Sequence, residues 1–152
     1  MWDYFLIDRH LDEMMTIVAD LGDSLANVRS DLPGGNSPYQ LVFHCCGVAE
    51  WWTRSAVLGL PVERDRAAEF EATGTVAELQ QRVDAVVAHV RADLAVIDPD
   101  APLRGDPSAD YVDTPIGRSA RGVLLHVLEE LAQHHGQLEL TRDAILAARS
   151  AG

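Results

Sequence analysis

Along four stretches of this 152-residue chain, apolar residues recur in steps of three and four. That spacing puts them on one face of an α-helix, and such a stripe has to be buried against another element. The first stretch covers about residues 3–29, with Leu11, Met14, Val18, Leu21, Leu25 and Val28 on its seam. It stops before the breaker cluster Leu32-Pro33-Gly34-Gly35-Asn36. Ser37-Pro38-Tyr39-Gln40 opens the second: Ser37 caps, Pro38 suits the first helical position, and Gln40 completes a capping box. Its seam is Leu41, His44, Val48, Trp51, Ser55 and Leu58, ended by Gly59 and Pro61. Thr75-Val76-Ala77-Glu78 is a second capping box, and the seam Val76, Leu79, Val83, Val86, Val90, Leu94, Ile97 runs to Asp98-Pro99. The fourth stretch begins near Ser119 and reaches about Ala148, along Leu124, Val127, Leu131, His134, Leu138, Thr141 and Ile145. No strand alternation competes with these seams. The expected fold is all-α, a four-helix bundle, with residues 1–152 as a single domain.

The connections are unequal, which permits a bundle whose neighbours in space are not neighbours in sequence. Residues 61–74 are rich in charge; Phe70 is expected to dock on the bundle while the arginines and acids around it stay in water. Residues 98–117 carry Pro99, Pro102, Pro107 and Pro115. A loop of that length is uncommon in a compact domain unless it has a use, such as a pocket lid. Short extended pieces are expected around Tyr111-Val112.

Charge and cysteine usage narrow the partners. A formal net charge of −12 argues against nucleic acid and against an anionic membrane surface. No apolar run approaches the ~18 residues of a membrane span. The opening Met-Trp-Asp-Tyr has no basic or apolar leader character. Cys45 and Cys46 are the only cysteines. As helix neighbours they point about 100° apart and cannot easily bridge, which fits a reducing, cytoplasmic location.

The chemistry concentrates in His126-Val-Leu-Glu129-Glu130-Leu-Ala-Gln-His134-His135-Gly-Gln137. Glu130 and His134 are four apart, so on a helix both side chains reach one point beside it. A third group, His44, occupies a core position on another seam. An inward carboxylate and two imidazoles from facing helices are what bundle interiors use to hold a transition metal, and three protein ligands with an open fourth position is the catalytic pattern for zinc. A lone core histidine is more often a hydrogen-bonded structural residue, and a Glu four before a His is often a surface pair. Burying Glu130 without a cation would be costly, however. His126, one turn before Glu130, is an alternative ligand; His135 and His89 are read as lying outside the ligand set.

The segment Ser37-Pro-Tyr-Gln-Leu-Val-Phe-His44-Cys-Cys-Gly-Val-Ala-Glu50-Trp51-Trp52 resembles the second helix of the DinB-like superfamily, with its metal histidine followed by acid and tryptophan. Leu125 through Gln137 resembles the last helix of that superfamily, and Asp65-Arg66-Ala-Ala-Glu69-Phe70 is similar to a segment of its mycothiol-dependent branch. The resemblance spans essentially the whole chain. It implies a bundle with a metal at one end of its core, held by His44, Glu130 and His134. A glutamate in the middle position matches the His/Glu/His set of mycothiol-dependent maleylpyruvate isomerases, and zinc is the implied metal. Nickel, iron and manganese suit the same donors. The isomerases carry a further C-terminal domain, whereas this chain ends at Gly152, and Gln137 stands where small relatives of that branch often have a second histidine.

The implied activity is a metal-dependent thiol S-transferase, in which mycothiol or a similar small thiol, its pKa lowered by the metal, attacks a small electrophile. Trp51 is a candidate pocket wall, with Trp52 beside it, and Arg121 a candidate contact for a carboxylate of the thiol. Cys45 and Cys46 are read as small core residues without a catalytic role. The alternatives are a hydrolase activating water at the same site, or a non-catalytic metal-binding stress-response bundle. A homodimer through helix faces is compatible with the pattern.

Overall fold

The computed structural model describes residues 5–151. Their regular structure is entirely helical, without a strand among the described residues. Helix α1 spans Phe5–Ala26, α2 Pro38–Glu50, α3 Arg66–Glu69, α4 Val76–Leu94 and α5 Ala120–Ser150. Asp3 and Tyr4, the expected start of the first helix, lie outside the described residues. No helix among the described residues is long and apolar enough to cross a membrane.

The caps form as the sequence implies. Ser37 Oγ accepts from the Gln40 amide while the Gln40 side chain accepts from the Ser37 amide, and Thr75 and Glu78 repeat the arrangement at α4. Ser119 caps α5 through the Gly122 amide. Helix α1 ends earlier than its apolar run suggests. Gly22, at φ 68° inside the helix, bends the chain there, and Val28 is left exposed beyond the last turn.

Helix α1 packs on α2, α4 and α5, and α2 packs on α4 and α5. Helices α1 and α2 are therefore the central pair, flanked by α4 and α5, a non-sequential arrangement. Their seams meet in one core that includes Leu11, Met14 and Val18 of α1, Leu41 and Val48 of α2, Val83, Val86 and Val90 of α4, and Leu124, Leu131 and Leu138 of α5.

The second helix changes character after Glu50. Residues Trp51–Val57 form a π-helical segment, a wider turn than the α-helix the seam predicts. π-turns are rare and concentrate at functional sites. The long loop closes its end: the amides of Arg104 and Gly105 donate to the carbonyls of Val57 and Ala56, each at 3.1 Å. Gly105 is needed there, because a Cβ would strike the Ser55 carbonyl oxygen. The loop contains no extended pieces. Around Tyr111 it forms the 3₁₀ turns Ala109–Tyr111 and Ile116–Arg118, consistent with a proline- and glycine-rich segment that packs as local turns.

Candidate functional site

His44, Glu130 and His134 converge where α2 meets α5, their ligand atoms all within 4.8 Å of one another. His44 comes from the middle of α2 and is 1 % exposed. Glu130 and His134 come from successive turns of α5. His44 Nδ1 lies 2.7 Å from Glu69 Oε2. A carboxylate only accepts, so Nδ1 carries the proton and donates it, and the lone pair is left on Nε2. That Nε2 is buried and has no hydrogen-bond partner among the described residues. His134 repeats the logic: its Nδ1 lies 2.9 Å from Gln137 Oε1 and donates to it, leaving its own Nε2 lone pair.

Both free nitrogens look at Glu130. Its Oε2 is 3.9 Å from His44 Nε2 and 3.7 Å from His134 Nε2. These gaps are too long for hydrogen bonds. They are close to the ~3.3–3.5 Å that separates two ligands of one tetrahedral ion with bonds of ~2.0–2.1 Å. The donor set therefore fits a divalent metal: two imidazoles whose Nδ1 atoms are engaged by Glu69 and Gln137, one carboxylate, and an otherwise orphaned buried nitrogen. The imidazoles of His134 and then His44 hold the Glu130 carboxyl well below the usual carboxylate range, against the opposing effect of burial. For His44, burial favours the neutral ring, but Glu130 and Glu69 outweigh it and raise its pKa.

Glu69 is the group that sequence reasoning overlooked. It sits in α3, in the stretch expected to keep its acids in water, yet it is 4 % exposed. It is buried because it is paired: Arg64 donates to it through Nε at 2.7 Å and through a terminal nitrogen at 3.0 Å, while His44 donates at 2.7 Å. Two partners on one carboxylate offset the loss of water. Space for Glu69 comes from Gly47, one turn after His44, where a Cβ would collide with Glu69 Oε1. Phe70 completes the cradle by lying against the His44 ring, centroids 4.6 Å apart.

Beside this cluster is a cavity of about 370 Å³ lined by His44, Trp51, Trp52, Arg64, Arg66, Tyr111, His126 and Glu130, among others. The π-segment places both Trp51 and Trp52 on it, ring against ring at 4.9 Å. The loop contributes Tyr111, whose ring meets His126 at 4.6 Å. His126 is buried and its Nδ1 lacks a hydrogen-bond partner among the described residues; it borders the cavity and is not part of the converging triad. Arg121 stands elsewhere, its guanidinium 2.9 Å from Asp100, and it does not line the cavity. Arginines that do are Arg64 and Arg66, from the connection before and within α3. His89 pairs with Glu50 at 2.8 Å, and His135 faces α1.

The cysteines beside His44 are unsuited to chemistry. Burial pushes the Cys46 thiol up to about 12 and the Cys45 thiol well above its ordinary value. A nucleophilic sulfur at this site must arrive with a substrate.

No curated protein and no solved structure matches the chain. Among protein-family models, the mycothiol-S-transferase model matches residues 5–147 and so takes in α1 through α4 and most of α5, with His44, Glu69, Glu130, His134 and the cavity; the chain belongs to that family of transferases, a DinB-like branch.

Proposed function

We propose that the chain is a metal-dependent S-transferase joining mycothiol to a small electrophile, with His44, Glu130 and His134 as the metal ligands. The observation that carries this reading is His44 Nε2, buried, without a hydrogen-bond partner among the described residues and turned by the Nδ1–Glu69 bond towards Glu130. Zinc suits two imidazoles and a carboxylate with an open position; nickel, iron and manganese share the donor set. When bound, such an ion supplies Lewis acidity that lowers the pKa of a thiol held next to it.

The chain's own residues do the rest. Glu69 holds the His44 ring in one tautomer, and Gln137 does the same for His134, so no reorganisation is needed at the moment of reaction. Trp51, Trp52 and Tyr111 wall the cavity with apolar surface and keep water from the electrophile. The exposed guanidinium of Arg66 on the cavity takes the polar end of the thiol, the role expected of Arg121. His126 is the ring base on the cavity available for the thiol proton. As the S–H proton is lost, sulfur bonds to the electrophilic carbon and the leaving group departs with its electron pair.

The test combines metal content with turnover. His44→Ala, purified without chelator, is expected to lose one equivalent of metal relative to wild type. With mycothiol and monobromobimane, wild type should form the thioether faster than the uncatalysed reaction. Glu130→Ala should slow the enzymatic rate by ~100-fold or more, the several kcal/mol expected of the metal's contribution. Unchanged metal content in His44→Ala, or unchanged turnover in Glu130→Ala, would remove the proposal.

A further inference from the structure

We propose a second metal-binding site where α1 meets α5, formed by His10, Glu13 and His135 and suited to a divalent transition metal. It stands apart from the triad described above and shares no residue with it. On α1, His10 and Glu13 are three residues apart and lie on one face of the helix. On α5, His135 follows His134 by about 100° of rotation. That rotation sends His134 to the first cluster and His135 to α1.

The three side chains bring their donor atoms together. His10 Nδ1 and His135 Nδ1 are 2.9 Å apart, and the rings meet edge to face, centroids 5.2 Å apart at 89°. Two nitrogens bound at ~2.1 Å to one ion, at angles between octahedral and tetrahedral, lie ~3.0–3.4 Å apart. Glu13 brings an oxygen to the same point: Oε2 is 3.9 Å from His135 Nδ1. Its other oxygen, Oε1, accepts from Arg9 Nε at 2.7 Å, which orients the carboxylate. All three ligand atoms fall within 4.8 Å of one another.

Exposure also suits an exchangeable ion. The side chains of His135 and Glu13 are 15 % and 44 % exposed, so water can fill the remaining positions and the metal can enter from solvent. An ion here ties α1 to the turn of α5 that carries His134. It would act as a clamp behind the reaction centre, with no part in the chemistry.

The experiment is a zinc titration of the chelator-stripped full chain against a competing chelator, with elemental analysis after desalting. Wild type should bind two equivalents of zinc. His10→Gln and Glu13→Gln, conservative changes at partly exposed positions, should each weaken one equivalent by at least ~10-fold and leave the other intact. His44→Ala should show the reverse pattern, so failure of either site is distinguishable from failure of the other. A second readout is thermal: the rise in Tm between one and two equivalents should vanish in His10→Gln. Saturation of wild type at one equivalent retained by His10→Gln, or a second equivalent held as tightly by His10→Gln and His135→Gln as by wild type, would show that the two imidazoles form only a hydrogen-bonded pair.

Discussion

Gly47→Ala sets two principles against each other. In the interior of a helix, replacing glycine by alanine ordinarily stabilises by ~1 kcal/mol. Gly47 lies in the interior of α2, so propensity alone predicts a gain. The structure predicts a loss. A methyl group there strikes Glu69 Oε1, comes within 2.8 Å of Glu69 Cδ and within 3.3 Å of Arg64 Nε. Those atoms cannot retreat cheaply, because Glu69 is 4 % exposed and holds His44 at 2.7 Å and Arg64 at 2.7 and 3.0 Å. Displacing one member of a buried charged cluster costs ~3–5 kcal/mol. After the propensity gain, ~2–4 kcal/mol of net destabilisation remains. Urea unfolding of the metal-free protein measures it. The same displacement releases the His44 ring from its orienting carboxylate, so zinc affinity at the first site should fall ~10–100-fold in a chelator competition. Gly136→Ala on α5 is the control, since nothing lies within 4 Å of a Cβ at that position; it should stabilise by up to ~1 kcal/mol and leave that affinity unchanged. In Gly47→Ala/Glu69→Ala the clash is gone, so the two effects should combine to less than their sum. If Gly47→Ala behaves like Gly136→Ala in both assays, the positioning role of Glu69 is wrong.

Three further outcomes follow from the same structure. Cys45 and Cys46 should resist a thiol reagent at pH 8 in the native protein and react together on unfolding, since burial holds the Cys46 thiol at about 12 and Cys45 well above normal; rapid native labelling of either would contradict the packing. Burial opposes ionisation of Glu50, but His89 at 2.8 Å and Arg82 at 2.7 Å outweigh it and lower its pKa. A depressed carboxylate contributes stability that is present above its unfolded pKa and lost as pH falls through the folded value. Glu50→Gln should therefore lower stability at pH 7 by ~1–3 kcal/mol and flatten the loss of stability below about pH 4.5, as read from urea midpoints against pH. Gln137→Ala removes the acceptor that sets the His134 tautomer, so zinc affinity should drop ~10-fold with little change in stability; an unchanged affinity would make Gln137 incidental.

The parts of this molecule that could be read from sequence are those governed by local rules. Caps at Ser37, Thr75 and Ser119 depend on side chains three residues from the backbone groups they satisfy, and the seams depend on a period that burial enforces. The spacing of Glu130 and His134 is a property of one helix, so their meeting was legible as well. What escaped depends on contacts between distant segments. The π-turn at Trp51–Val57 carries the same apolar spacing as an α-helix, and its widening is supported by loop amides about fifty residues away, at Arg104 and Gly105. Glu69 looked like a solvated acid because its neighbours Arg64, Asp65 and Arg66 are charged; only the packing of α3 on α2 brings it to His44, 25 positions earlier. His10 was missed for the same reason, since it lies among charged residues of α1 and its partner is 125 positions away. In both places a polar side chain in a charge-rich stretch is paired because another helix brings an imidazole to it. A candidate ligand can be read from one helix, but the residues that orient it come from whatever packs behind, which is why the Gly47 and Gln137 substitutions test the site more sharply than removal of the ligands themselves.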